Sequence, residues 1–238
     1  MAGNLTDSDA AALAAEALAY VRPGQTVGLG TGNAATAFVR ALGRAAAEGL
    51  RVRGVPTSEA AAKLAREVGI PQASLEESAV LDLTVDGADE VDPSLDLIKG
   101  YGGALVREKV VAAASRRLVI LVGHEKLVPA LGSRGKLPVE ILPFALGFCR
   151  RRLSEEGLAP VLRRSGAEPF VTDNANYILD CTVEPIADAP RLDALLGSIP
   201  GVVGTGLFVR MAHIVLVAHS GRVTTMSRSD APPVSGLT

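Results

Sequence analysis

Leu83-Thr84-Val85-Asp86-Gly87-Ala88-Asp89-Glu90 opens the stretch LTVDGADEVDPSLDLIKGYGGALVREK, residues 83–109, on which the reading of the chain turns. The apolar run Val80–Val85 reads as a buried strand that ends in two aspartates. Turn-rich sequence follows Glu90, then Lys99, the run Gly100-Tyr101-Gly102-Gly103, and a helix that carries Glu108. Carboxylates, an amine and open backbone N–H groups crowd into one strand–loop–helix unit. That is more polar chemistry than a structural connection needs.

Outward from this unit, the same alternation repeats. Upstream, Thr6-Asp7-Ser8-Asp9 supplies caps for a first helix, whose Leu13, Ala17, Tyr20 and Val21 share a face. Thr26–Gly30 reads as a strand, Thr31-Gly32-Asn33 as the turn into a second helix, Val52–Val55 as a strand, and Ser58 as the cap of a third helix. Downstream, Arg117–Val122 is a further strand. Short apolar strands alternating with helices predict an α/β fold with a Rossmann-like, mostly parallel sheet covered on both faces. The rhythm changes near Gly135. Strands over Leu137–Leu142, Pro160–Arg164, Phe170–Thr172 with Tyr177–Val183, and Val202–Val209, with helices over Pro143–Glu156 and Pro190–Ser198, give a β-α-β-β-α-β order. That order predicts a second, smaller, ferredoxin-like lid domain at 135–209, set within a catalytic domain of 1–134 plus 210–238. His213–Ala218 returns as a strand to the large sheet, and 227–238 reads as a loose tail.

Composition narrows the function. The 238 residues are 48% hydrophobic and carry a net charge of −2, with aromatics at only 3%. No basic patch or stacking platform points to nucleic acid, and no apolar run reaches the ~18 residues of a membrane span. A cytoplasmic location is the expectation. Cys149 and Cys181 are expected as buried thiols, and the three histidines form no ligand cluster, so neither a metal nor another cofactor is expected.

In a parallel α/β sheet, ligands bind outside the carboxyl ends of the strands. Gly30-Thr31-Gly32-Asn33, Pro56-Thr57-Ser58 and Asp86-Gly87-Ala88-Asp89 each follow a strand, so all three open onto one edge. The first is glycine-rich and leads into a helix start, which suits an anion such as phosphate, though a plain tight turn has the same composition. A dinucleotide would need an acidic residue after the next strand, where Pro56-Thr57-Ser58 stands instead. Asp86 and Asp89 are placed to grip sugar hydroxyls, with turn formation and capping as their structural alternative. Lys99, at a strand end after Leu97-Ile98, can stabilise an oxyanion. Glu108 shares a helix side with Ala104, Val111, Ala112 and Ser115; burial there raises a carboxyl's pKa and suits a general base. Lys126 falls at the same sheet edge, and Asp173-Asn174-Ala175-Asn176 reads as a turn.

Taken together, Gly28–Gly32, Pro56-Thr57-Ser58, Asp86–Glu90, Leu97–Gly100, Arg107-Glu108-Lys109, Leu137–Glu140, Thr172-Asp173-Asn174 and Pro200-Gly201 resemble the type A ribose-5-phosphate isomerases, in that family's order, over about residues 8–210. The resemblance implies interconversion of D-ribose 5-phosphate and D-ribulose 5-phosphate in the pentose phosphate pathway, through an enediolate and without a cofactor. By position it makes Glu108 the proton-shuttling base. Asp86, Asp89 and Lys99 would surround the reacting end of the sugar, with Gly87, Ala88, Gly100, Tyr101 and Gly102 along the same loops. Thr31, Gly32, Asn33 and Ala34 would form the phosphate loop and Lys126 a second substrate contact. It also implies a homodimer or dimer of dimers.

The chain departs from that pattern where the phosphate should sit. Asn33 and Ala34 replace a hydroxyl pair, and Ala10-Ala11-Ala12 lacks the first helix's usual lysine. Tyr101 stands where glycine is common and is expected to narrow the mouth; Gly123-His124-Glu125 replaces the usual lead into the lysine, and Ala175 replaces a turn glycine. A thinned phosphate grip predicts a raised Michaelis constant. The alternatives are a non-catalytic sugar-phosphate-binding regulatory module, for which Glu108 is superfluous, an isomerase for a related sugar phosphate, and a nicotinamide dehydrogenase, disfavoured by the missing acid.

Overall fold

The structure, a computed structural model, describes residues 5–228. Thr6 caps the first helix, α1 (Asp7–Leu18), its hydroxyl accepting from the Asp9 N–H. The chain then alternates through β1 (Thr26–Leu29), α2 (Asn33–Ala47), β2 (Arg53–Pro56), α3 (Glu59–Glu67) and β3 (Leu83–Gly87). Two short strands, β4 (Glu90–Val91) and β5 (Leu97–Ile98), precede α4 (Leu105–Ala113) and β6 (Leu118–Gly123). Next come β7 (Lys136–Ile141), α5 (Leu146–Glu155), β8 (Ala159–Leu162), the hairpin β9 (Arg164–Ser165) and β10 (Glu168–Pro169), β11 (Tyr177–Thr182) and α6 (Ala189–Gly197). The last strands are β12 (Val202–Thr205), β13 (Leu207–Phe208), β14 (Ile214–His219) and β15 (Arg222–Ser227).

The main sheet has the order β2-β1-β3-β6-β14-β15, parallel except for β15. Both faces are covered, which explains the unbroken apolar strands. Along β6, Val119 and Leu121 point into the core beneath α1 and α2, while Leu118, Ile120 and Val122 point to the opposite core with Ala112 of α4 and Phe208. The strand order reverses at β1, with β2 on one side and β3 on the other. This switch point is where a ligand crevice forms in such sheets.

The second sheet, in the order β12-β7-β11-β8, is antiparallel throughout. With α5 after its first strand and α6 after its third, it is ferredoxin-like. Its core gathers Leu137, Val139, Ile141, Leu179 and Leu196 with Cys149 and Cys181, both buried free thiols.

Three expectations change. Phe170–Thr172 is not a strand; the hairpin β9–β10 precedes it. Val202–Val209 divides into β12 on the small sheet and β13, which pairs with β5 in a third, three-stranded sheet, β13-β5-β4. Gly206 makes the switch possible: a Cβ there would come 2.5 Å from the Lys99 carbonyl oxygen. Ser227, expected at the start of a loose tail, instead ends β15, and 229–238 of that expectation lie outside the described residues. The β14–β15 hairpin turns at Ser220-Gly221, both at positive φ, the geometry favoured for two-residue loops. Among the described residues, no helix is long and apolar enough to cross a membrane.

Candidate active site

The loops after β1, β2 and β3 meet at the switch point, tied by their own side chains. The Thr31 hydroxyl lies 2.8 Å from both the Thr57 and Ser58 hydroxyls. Asp86 Oδ1 accepts from the Thr31 N–H at 3.0 Å and from the Gly87 N–H at 2.8 Å. Gly30 permits this approach, since a Cβ there would come 2.5 Å from the Asp86 Cα. Thr57 and Ser58 are buried and bonded to Thr31, so the end of β2 offers no group to a nucleotide ribose.

A cavity of about 300 Å³ opens over this junction, large enough for a small ligand. One wall is Thr31, Gly32, Asn33 and Ala34, where α2 begins without a side-chain cap, leaving its first N–H groups directed outward. Gly87, Ala88 and Asp89 form the second wall, and Lys99, Gly100, Gly102 and Glu108 the third. Lys126 completes it from the 3-10 turn His124–Lys126 that follows β6.

Two expected residues are not on its walls. Asp86 is 1% exposed and lies beneath the cavity floor, because both its oxygens are taken by the chain itself: Oδ1 by backbone and Oδ2 by Lys99. Tyr101 does not narrow the mouth. Its ring turns toward the antiparallel sheet, where its hydroxyl donates to the Lys136 carbonyl and the Lys136 ammonium sits 4.1 Å from the ring centre. The backbone turn at Gly100, φ +103°, aims it there.

The reactive geometry centres on Lys99, only 3% exposed. Its Nζ donates to the Gly87 carbonyl at 2.6 Å and contacts Asp86 Oδ2 at 3.0 Å and Glu108 Oε1 at 3.4 Å. The face of Phe208 lies 5.5 Å away. Burial alone would lower the amine's pKa, but the Asp86 and Glu108 carboxylates outweigh it and raise it, so the group stays an ammonium. Glu108, in the first turn of α4, is 5% exposed. Burial pushes its carboxyl well above the usual range; Lys99 opposes the rise, and Asp86 and Asp89 add to it. Glu108 Oε2 is buried without a hydrogen-bond partner. Such an oxygen costs stability unless something fills it, and because Glu108 lies on the cavity wall, a ligand bound there is placed to do so. Asp89 is half-buried; its Oδ2 accepts from the Tyr101 N–H at 2.9 Å.

The structure also adds groups that the sequence left unmarked. Arg134 and Glu125 line the cavity beside Lys126. The Arg134 guanidinium donates to the Glu125 carbonyl, and its backbone N–H donates to buried Glu90 at 2.9 Å. Flanked by Ser133 and Gly135 in a turn, Arg134 carries no sequence signal until that turn is folded against Glu90. Phe208, beneath Lys99, reads simply as a core residue in sequence.

Comparison with known proteins identifies the family of the chain. The family model for ribose 5-phosphate isomerase A (phosphoriboisomerase A) matches residues 53–222. A ribose-5-phosphate isomerase A from Roseiflexus sp. (strain RS-1) is 52% identical over 222 residues, spanning 92% of this chain and 95% of that protein. One from Gloeobacter violaceus is 49% identical over 220 residues, spanning 92% and 96%. Among solved structures, ribose 5-phosphate isomerase A from Methanocaldococcus jannaschii superposes with a TM-score of 0.88 at 40% identity, covering 93% of this chain and 99% of that one. A D-ribose-5-phosphate isomerase in complex with phospho-erythronic acid superposes with a TM-score of 0.90 at 37% identity, covering 95% and 100%.

Proposed function

The chain belongs to the ribose 5-phosphate isomerase A family, and from that premise we infer how its residues interconvert D-ribose 5-phosphate and D-ribulose 5-phosphate. The observation that carries the mechanism is the buried, unpartnered Oε2 of Glu108 beside a permanently charged Lys99.

Glu108 removes the proton from C2 of the open-chain aldose. The C–H electron pair forms the C1=C2 bond, and the carbonyl π pair moves onto O1. Lys99 stabilises the resulting oxyanion. At rest its ammonium is shared among Gly87, Asp86 and Glu108, and the Glu108 contact is the longest at 3.4 Å. Protonation of Glu108 removes the charge that holds Lys99, so a donor turns to the enediolate as that charge develops. Glu108 then returns its proton to C1, the O2 proton passes to O1 through the cavity-facing carboxylate of Asp89, and the ketone forms at C2. Atoms and charge balance without an oxidant. Asp86 acts from below: it keeps Lys99 charged and holds Thr31 in place. The phosphate sits against the N–H groups of Gly32, Asn33 and Ala34, with Lys126 opposite. A phosphorylated sugar acid held by one solved relative suits a cavity of this polarity.

On this reading 1–134 with 210–238 is the catalytic unit and 135–209 the lid. The enzyme works in the cytoplasm within the pentose phosphate pathway, as a homodimer or dimer of dimers. The test is direct turnover. Ribose 5-phosphate incubated with the purified chain, followed by carbon NMR, gives ribulose 5-phosphate at equilibrium. Saturable binding without turnover would instead support a regulatory module.

A further inference from the structure

α4 begins at Leu105 after Ala104, which gives it no side-chain cap, although its first turn carries Glu108. An uncapped first turn frays readily. Here it is gripped through Arg107 instead. Arg107 Nε donates to Asn174 Oδ1 at 2.9 Å, Nη2 to the Asp173 carbonyl at 2.8 Å, and Nη1 to Glu59 Oε1 at 2.8 Å. Two of these three partners belong to the turn 173–176, which extends from the antiparallel sheet.

That turn is in turn fixed from below. Glu140, wholly buried on β7, receives at Oε1 the Thr172 hydroxyl at 3.0 Å, Asn174 Nδ2 at 3.1 Å and Asn176 Nδ2 at 2.9 Å. Its Oε2 is buried without a partner. A buried carboxylate with an orphan oxygen is costly, and three donors converging on the other oxygen are what it orders. Among the described residues, Asn174 alone joins both clusters: its amide N–H donates to Glu140 while its carbonyl oxygen accepts from Arg107.

We propose that Asn174 is a positioning residue for the reaction, linking Glu140 of the small sheet to Arg107 so that the first turn of α4 holds Glu108 at the substrate carbon. The inference rests on Glu108 being the base. Because Arg107 and Glu108 are adjacent on that turn, loosening one displaces the other, and a base displaced by ~1 Å can lose on the order of a hundredfold in rate. Binding is spared, because the phosphate loop stands on α2.

The test compares Asn174→Ala and Arg107→Lys, which break the same contact from opposite sides, on ribose 5-phosphate carrying hydrogen or deuterium at C2. The expected result is kcat lower by about tenfold or more, KM within about twofold, and a larger primary isotope effect on kcat, since proton transfer becomes the slow step. Two outcomes overturn the proposal. One is an unchanged kcat per folded enzyme in either variant. The other is a lower kcat with an unchanged isotope effect, which would mean that the contact serves folding alone. Glu108→Gln assayed in parallel separates the readings: if it stays active, the base assignment has failed rather than the link.

Discussion

At the scale of single residues, the site works by opposed electrostatics within a few ångströms. Lys99 is held charged by carboxylates, while Glu108 is held towards its neutral form by burial. A base must be ionised to accept a proton, so kcat/KM for the free enzyme falls as pH drops through the raised Glu108 value. The acid limb of the pH–rate profile is therefore expected well above the ~4.3 of an ordinary glutamate; a limb at the ordinary value contradicts the burial argument. The loop proposed to hold the phosphate gives a second expectation. Ala34 stands in the first turn of α2, where a threonine hydroxyl would add one charge-assisted hydrogen bond worth ~1.5 kcal/mol. Ala34→Thr should lower KM about tenfold with kcat nearly unchanged, and an unaltered KM shows that the backbone alone carries the phosphate. Glu108 was legible in the sequence because helical periodicity places it on a side of small residues. Asp86 was only half legible. Its place after a strand put it at the mouth, but whether its oxygens face a ligand or the chain depends on Lys99 and Thr31, which are distant in sequence.

At the scale of elements, long strands and helices announced themselves by period and caps, and short ones did not. β4, β5 and β13 are two residues each, too short to show a pattern, yet they seat Lys99 and Phe208. The turn 173–176 read as a bare connection because its importance lies in Glu140 and Arg107, which reach it from other elements. That turn also stores strain. Ala175 has φ +60°, a conformation that disfavours a residue with a Cβ by about 1 kcal/mol. Ala175→Gly relieves it and, after glycine's added unfolded-state entropy, should leave thermal stability equal or higher by a few tenths to ~1 kcal/mol. A clear drop in the midpoint of thermal unfolding would show that Ala175 is not strained.

At the scale of the molecule, two sheets of different construction share one site. The parallel sheet supplies the switch point and the loop 31–34 proposed to hold the phosphate. The antiparallel sheet reaches it through the Asn174 turn, which grips α4, and β13, which follows β12 in the chain, leaves that sheet to pair with β5 beside Lys99. The alternation of strands and helices made both sheets legible in sequence, but not how they are joined, because the joints are single side chains and two-residue strands. In the mechanism we infer, the joined molecule moves one proton between adjacent carbons of a sugar phosphate, with Glu108 as the proposed carrier. The direct measurement is exchange at C2 of ribose 5-phosphate in deuterated water, followed by proton NMR alongside isomerisation. The native enzyme should both exchange and isomerise, and Glu108→Gln, of nearly the same shape, should lose both by several orders of magnitude, at the upper end of or above the ~10²–10⁴ that a general acid–base group supplies. Exchange and isomerisation at native rates in Glu108→Gln would contradict the account.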